Sequence, residues 1–331
     1  MSNRYDHVLS FALTHPWNLE PAMLAVVAGI LARRIAGVEL SQAEIEAALV
    51  NRKNLPQPRT GSVAVIPVYG VIAPRMNMFS EISGGTTFEK LTQQLRAAVA
   101  DKTVRNIVLD VDSPGGSVAG NAEFAAEVMK ARTKKPILAV AQYTMGSAAY
   151  HLSAGATEIV AAPSARVGSI GTFTIHNDLS AALEQLGVKR TFISAGTGKV
   201  DGNETGPPSE EYLARTQAAV DSAYSQFVGN VVKGRGQGMT ADRVKKDWKA
   251  HVYGADEAKA IGMIDAIATL DDTIARLLTA SPDAADQRAA LDFVSTDATA
   301  QELPRAATAQ ERQDEIAWQN ARERELHELS L

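Results

Sequence analysis

Short apolar runs separated by helix-length amphipathic stretches limit what this 331-residue chain can become. The runs are 63–72, 106–111, 136–141 and 158–161, and Pro67 interrupts the first of them. Between them the spacing predicts an amphipathic helix over 88–100 and another over 122–132. Strands alternating with helices at this pace argue for parallel β/α units rather than a β-sandwich. The runs are apolar on consecutive positions, as expected when helices cover both faces of the sheet. The chain is long enough to bury a sizeable core. With only 5% aromatic residues, Ala and Val must do most of the packing.

The flanks have a different texture. Residues 1–58 read as a helical N-terminal region, with Pro21 suited to a first turn and a capping box from Ser41 to Glu44. The apolar stretch 23–32 within it falls short of the ~20 residues needed to span a bilayer. It reads as a buried or partner-facing helix, so no stable membrane insertion is expected. Pro56, Pro58 and Gly61 mark a linker. The α/β domain is expected over 59–280, with a long helix over 209–235 and another starting at Thr240. Residues 281–331 read as a flexible linker followed by a charged helix over 309–329.

Where the run 136–141 ends, the chain continues Met145-Gly146-Ser147-Ala148-Ala149-Tyr150. A strand feeding a tight turn of small residues into a helix lifts a serine above the core. It also leaves the next backbone N–H free for a developing oxyanion. Three further pieces give this serine possible partners. Asp112-Ser113-Pro114-Gly115-Gly116 closes a buried strand, and its glycines let backbone N–H groups face a ligand. Val167-Gly168-Ser169-Ile170-Gly171 is a second Gly-Ser turn, whose hydroxyl could orient an amine. Gly196-Thr197-Gly198-Lys199 places an amine in a polar loop. A lysine serves as a base only where its surroundings pull an amine from about 10.4 to about 7–8. Read singly, each piece has a structural alternative: a helix-opening turn, a Pro-Gly turn, a capped backbone turn, an exposed loop lysine. The last piece is not a phosphate loop, because the first glycine is missing and Val200 stands where Ser or Thr is needed.

Composition excludes other chemistries. There is no cysteine, hence no disulfide, thiolate metal site or cysteine nucleophile. A net charge of −5 argues against nucleic acid as the main partner. The six histidines show no HExxH or paired-metal spacing, so no metal and no cofactor are expected. His151 follows Ser147 by about one helical turn, while His176 and His251 fall in loops.

Taken in order, these motifs resemble the signal peptide peptidase A-type serine peptidases, a Ser–Lys family with a ClpP/crotonase-like fold of repeated ββα units. The segments 252–258 and 262–265 resemble that family's closing region, so the likeness runs from about Ser62 to Ile267. It implies Ser147 as nucleophile, Lys199 as general base and Ser169 as the group positioning the lysine amine. The N–H groups of Gly116 and Ala148 would form the oxyanion hole, with Gly115 shaping the turn. The implied activity is endopeptidase cleavage of a peptide or unfolded protein held as an extended strand, by a homo-oligomer. The region around His15-Pro16-Trp17 and the lack of an apparent anchor resemble phage and prophage members that mature heads. That implies capsid, scaffold or portal substrates, in the bacterial host cytoplasm or the prohead. Competing readings are a signal-peptide degrading peptidase, a ClpP-type enzyme with a histidine base, a crotonase-like acyl-CoA enzyme, and a non-catalytic scaffold or minor capsid protein.

Overall fold

The computed structural model describes residues 16–19, 62–75, 85–236 and 238–279. In chain order the strands are β1 (Trp17–Leu19), β2 (Val63–Tyr69), β3 (Ile72–Ala73), β4 (Thr86–Thr87), β5 (Asn106–Ser113), β6 (Gly115–Ser117), β7 (Ile137–Gly146), β8 (Glu158–Ala161), β9 (Arg166–Gly168), β10 (Val252–Gly254) and β11 (Ala266–Ile267). The helices are α1 (Phe88–Ala100), α2 (Asn121–Ala131), α3 (Ala148–Ser153), α4 (Ser180–Gln185), α5 (Glu210–Arg235), α6 (Ala255–Ala260) and α7 (Leu270–Thr279). A π-helical turn, Arg243–Trp248, stands where a helix from Thr240 was expected.

The result is a mixed α/β structure with parallel sheets, as the alternating pattern predicted. In the seven-stranded sheet β2, β5 and β7 run parallel, with Val65 opposite Val108 and Leu109 opposite Ala139. The far edge of β7 has two successive partners: β8 lies along Leu138–Ala141 and β9 along Thr144–Gly146. A smaller sheet has the order β1-β6-β3-β4, with β1 antiparallel to β6. Pro67 does not break β2, which continues to Tyr69. Among the described residues β2 pairs only with β5, and an edge strand tolerates a residue that lacks an N–H.

Helices cover both faces of the sheet. Phe88, Leu91, Leu95 and Ala98 form the buried stripe of α1, whose first turn is capped by Thr87 Oγ1 accepting from the Lys90 N–H at 3.2 Å. These residues join α2, α3 and the second half of α5 over Ile107, Leu109 and Val111. On the opposite face Ile274 of α7 packs against Val63, Val65, Val108, Leu138 and Val140. The first half of α5 contributes nothing to the core; its buried residues are Phe227, Val228, Val231 and Gly234.

The expected helical region over 1–58 needs one correction: Pro16–Leu19, the part of it that is described, is extended. Trp17 and Phe173 exchange backbone hydrogen bonds at 2.8 and 3.1 Å, while β6 pairs on the other side. With pairing on both sides, an extended backbone satisfies its polar groups as well as a helix would. The remainder of 1–58, including the apolar stretch 23–32, and the expected tail over 281–331 lie outside the described residues. Among the described residues, no helix is long and apolar enough to cross a membrane.

One polar clamp ties the closing segment to this frame. Arg235, at the end of α5, grips Asp265 with Nη1–Oδ2 at 2.9 Å and Nη2–Oδ1 at 2.6 Å. Asp265 Oδ2 also accepts the Ile159 N–H at 2.7 Å. Burial works against the charged carboxylate, but these hydrogen bonds and the guanidinium charge hold Asp265 below its ordinary range. Next to it, Met263 accepts the Tyr150 hydroxyl at 2.9 Å. Replacing Asp265 by Ala leaves Arg235 mostly buried without its partner, and should cost about 2 kcal/mol. Thermal unfolding of Asp265→Ala beside the parent chain measures this.

Candidate active site

Ser147 sits on the junction between β7 and α3, with φ 49° and ψ −110°. A side-chain-bearing residue pays about 1–3 kcal/mol for such a conformation and keeps it only when its surroundings enforce it. Here the Ser147 N–H donates to the Gly168 carbonyl at 2.7 Å, and its own carbonyl accepts the His151 N–H at 2.9 Å. The residue is 1% exposed. Its hydroxyl donates weakly to the Gly171 carbonyl, at 3.5 Å. Ala148 opens α3, so its N–H has no acceptor within the helix.

The Ser113-Pro114-Gly115-Gly116 turn is packed against this junction. Ser113 Oγ donates to the Gly70 carbonyl at 2.6 Å and accepts the Gly115 N–H at 3.1 Å, which fixes the turn. Gly115 has φ +109°, and a Cβ added there would lie 3.0 Å from both Ser147 Cβ and the Ala148 nitrogen. At Gly116 an added Cβ would strike the Ile72 carbonyl oxygen at 2.0 Å. Only glycine lets the three backbones approach this closely. Burial pushes the neighbouring Asp112 carboxyl up, although it accepts the Thr144 N–H at 3.3 Å.

Ser169 follows Gly168 directly and also has a positive φ, 58°. Its N–H donates to the His251 carbonyl at 2.8 Å. Gly115 therefore lies against Ser147 and Ala148, with Gly116 next to it, and Ser169 follows the Gly168 whose carbonyl receives the Ser147 N–H. Lys199 does not join them within the chain. It occupies an exposed turn in which its N–H donates to the Gly196 carbonyl at 3.1 Å. The region around it exposes large apolar side chains, including Leu186 at 75% and Ile193 at 98%.

The histidines are engaged elsewhere. His151 is buried and stacks on Phe227 with ring centroids 4.3 Å apart. Its Nε2 accepts from the Asn230 amide at 3.0 Å. His176 contacts the Gly206 carbonyl at 3.2 Å. Neither ring is paired with the Ser147 hydroxyl, which disfavours a histidine base. Among the described residues, no group of three or more His, Asp or Glu side chains could hold a metal ion.

Sequence reasoning missed two contributors to this region. One is the Gly171 carbonyl that receives the Ser147 hydroxyl. The other is Asn18, whose Oδ1 accepts the Thr172 hydroxyl at 2.6 Å. The alternation of Trp17-Asn18-Leu19 after Pro16 was a strand signal, but three residues are too few to override a helical context.

The sequence pattern described as Peptidase family S49 matches residues 129–281, a span that includes Ser147, Ser169 and Lys199. Over 298 residues the chain is 31% identical to the capsid assembly protease C of Escherichia phage lambda, covering 85% of this chain and 66% of that protein. The chain carries a peptidase family S49 domain. It is also 28% identical to the head-tail preconnector protein GP5 of Enterobacteria phage P21, over 92% of this chain and 63% of that one. A third relative, a putative signal peptide peptidase of Enterococcus faecium, is 31% identical over 71% of this chain and 66% of its own length. The chain thus spans just under two thirds of the length of its two phage relatives.

Burial pushes His151 down from 6.5 to about 3, so it stays neutral in the folded protein. The unfolded chain takes up this proton near pH 6.5. The stability held above that pH is therefore lost as pH falls from about 6.5 towards about 3. For His151→Gln, which retains an acceptor for Asn230, the plot of unfolding free energy against pH should flatten in this window by up to about 1.4 kcal/mol per pH unit.

Proposed function

We propose that the chain is a serine endopeptidase of the Ser–Lys type, built on a ClpP/crotonase-like fold. The observation that carries this reading is the strained, enclosed Ser147 packed against the Gly115-Gly116 turn. Ser147 Oγ attacks a peptide carbonyl, and Lys199 Nζ takes up the hydroxyl proton. The N–H groups of Gly116 and Ala148 hold the developing oxyanion, and Gly115 shapes the turn. Collapse of the tetrahedral intermediate breaks the C–N bond, and Lys199 returns the proton to the leaving amine. Water, deprotonated by the same amine, then hydrolyses the acyl ester and releases Ser147. Ser169 positions the amine. No cofactor takes part.

Lys199 is exposed within one chain, and its surroundings carry unburied apolar side chains. A homo-oligomer in which the lysine serves a neighbouring copy's Ser147 accounts for both facts. The reaction then occurs only in the assembly, where the amine leaves water. The phage relatives support capsid maturation, with capsid, scaffold or portal proteins as substrates, in the host cytoplasm or the prohead. The Enterococcus relative supports the second reading, degradation of signal peptides.

An intact-mass time course with an unfolded protein substrate tests the chemistry. Ser147→Ala and Lys199→Ala should each lose at least about 10³-fold in rate. Cleavage by Lys199→Ala at the parent rate would remove the lysine from the mechanism. Cleavage by none of the three proteins would favour a scaffold role. Mixing the two inactive variants tests the shared site: random assembly should restore about a quarter of the parent activity if serine and lysine come from different copies, and none if they come from one.

A further inference from the structure

A strand of this same chain lies beside Ser147, between two other segments. On one flank β1 pairs antiparallel with β6, so that Trp17 faces Ser117, Asn18 faces Gly116 and Leu19 faces Gly115. The pairing continues outward, with the Val118 N–H donating to the Pro16 carbonyl at 3.3 Å. On the other flank, Trp17 exchanges both backbone hydrogen bonds with Phe173, and Asn18 accepts from Thr172. The two flanks are thus the glycine turn and the segment that follows Ser169. Trp17 and Leu19 are buried, at 1% and 2% exposure. The Asn18 carbonyl oxygen lies 2.2 Å from the position a Gly115 Cβ would take, and that position is 3.0 Å from the Ala148 nitrogen.

An extended segment bonded along both edges, with its carbonyl turned into the space shared by Gly115 and Ala148, has the posture of a bound peptide. We infer that Trp17–Leu19 is an internal pseudo-substrate: it occupies the groove an incoming polypeptide must enter, and substrate binds by displacing it. This rests on the assignment of Ser147 as nucleophile. The occupant also describes what the groove accepts: an extended strand with large apolar side chains flanking a small polar one that reaches Thr172. A tethered strand acts at an effective concentration of about the millimolar range. A low intrinsic affinity is then enough to hold the groove closed to weak substrates while a well-matched strand still displaces it.

The absence of cysteine makes a direct test available. Because Trp17 and Phe173 exchange both N–H···O bonds, their Cα atoms are about 5.5 Å apart, within reach of a disulfide. In the full chain carrying Trp17→Cys and Phe173→Cys, oxidation should lock the strand in place. Hydrolysis of an unfolded protein should then fall at least about tenfold and recover on reduction. Binding of a fluorescent peptide with the sequence of residues 15–20 should likewise be detectable only in the reduced form.

Failure of the disulfide to form in the folded protein would overturn the inference, as would equal peptide binding by the oxidised and reduced forms. If neither form cleaves but the peptide still discriminates between them, the occupied groove stands and the nucleophile assignment falls. Asn18→Ala guards against a folding defect at the buried tryptophan. By loosening the strand it should raise peptide affinity and cleavage severalfold, and no gain in either counts against the inference.

Discussion

Everything at the candidate site hangs on β7. It is the strand that β5 pairs with on one edge, while β8 and then β9 share the other. The change of partner after Ala141 places β9 alongside the last residues of β7, next to Ser147. The Gly168 carbonyl at the end of β9 can therefore receive the Ser147 N–H. A backbone conformation that would relax in a loop is enforced here, because β9 on one side and the Gly115-Gly116 turn on the other leave it no room. The strain at Ser147 is thus sustained by sheet pairing rather than by side-chain packing.

The clamp of Arg235 on Asp265 secures this junction at a distance. Through the Ile159 N–H it binds the closing segment to β8, and through α5 it fixes the helix that carries Phe227 and Asn230 against His151. His151 lies one turn along α3 from Ser147 and stays neutral. The polar atoms behind the serine therefore place the short helix and put no charge beside Ser147.

Much of the sheet was legible because its strands are continuous apolar runs and its helices carry clean stripes. α1 begins and ends where its spacing predicted, at Phe88 and Ala100. β7 was harder to read. Its second half, Gln142–Gly146, turns polar and small as it leaves the core, so sequence pattern alone ended it near Ala141. Trp17–Leu19 was misread for a related reason: its partners lie about a hundred or more residues away, and three alternating residues are too short a local signal to mark a strand. The family resemblance pointed to Ser147 and the two glycine turns together, and the backbone places Gly115 and Gly168 beside Ser147. Lys199 shows the limit of such reasoning, since sequence order cannot say whether a lysine meets a serine in its own chain or in another.

Pro67 has one further consequence. It lies in the middle of β2, the strand that closes the larger sheet among the described residues. With no N–H to offer there, the open edge cannot template a continuous ladder with a stray strand. The larger sheet is thereby guarded against growing sideways into an aggregate.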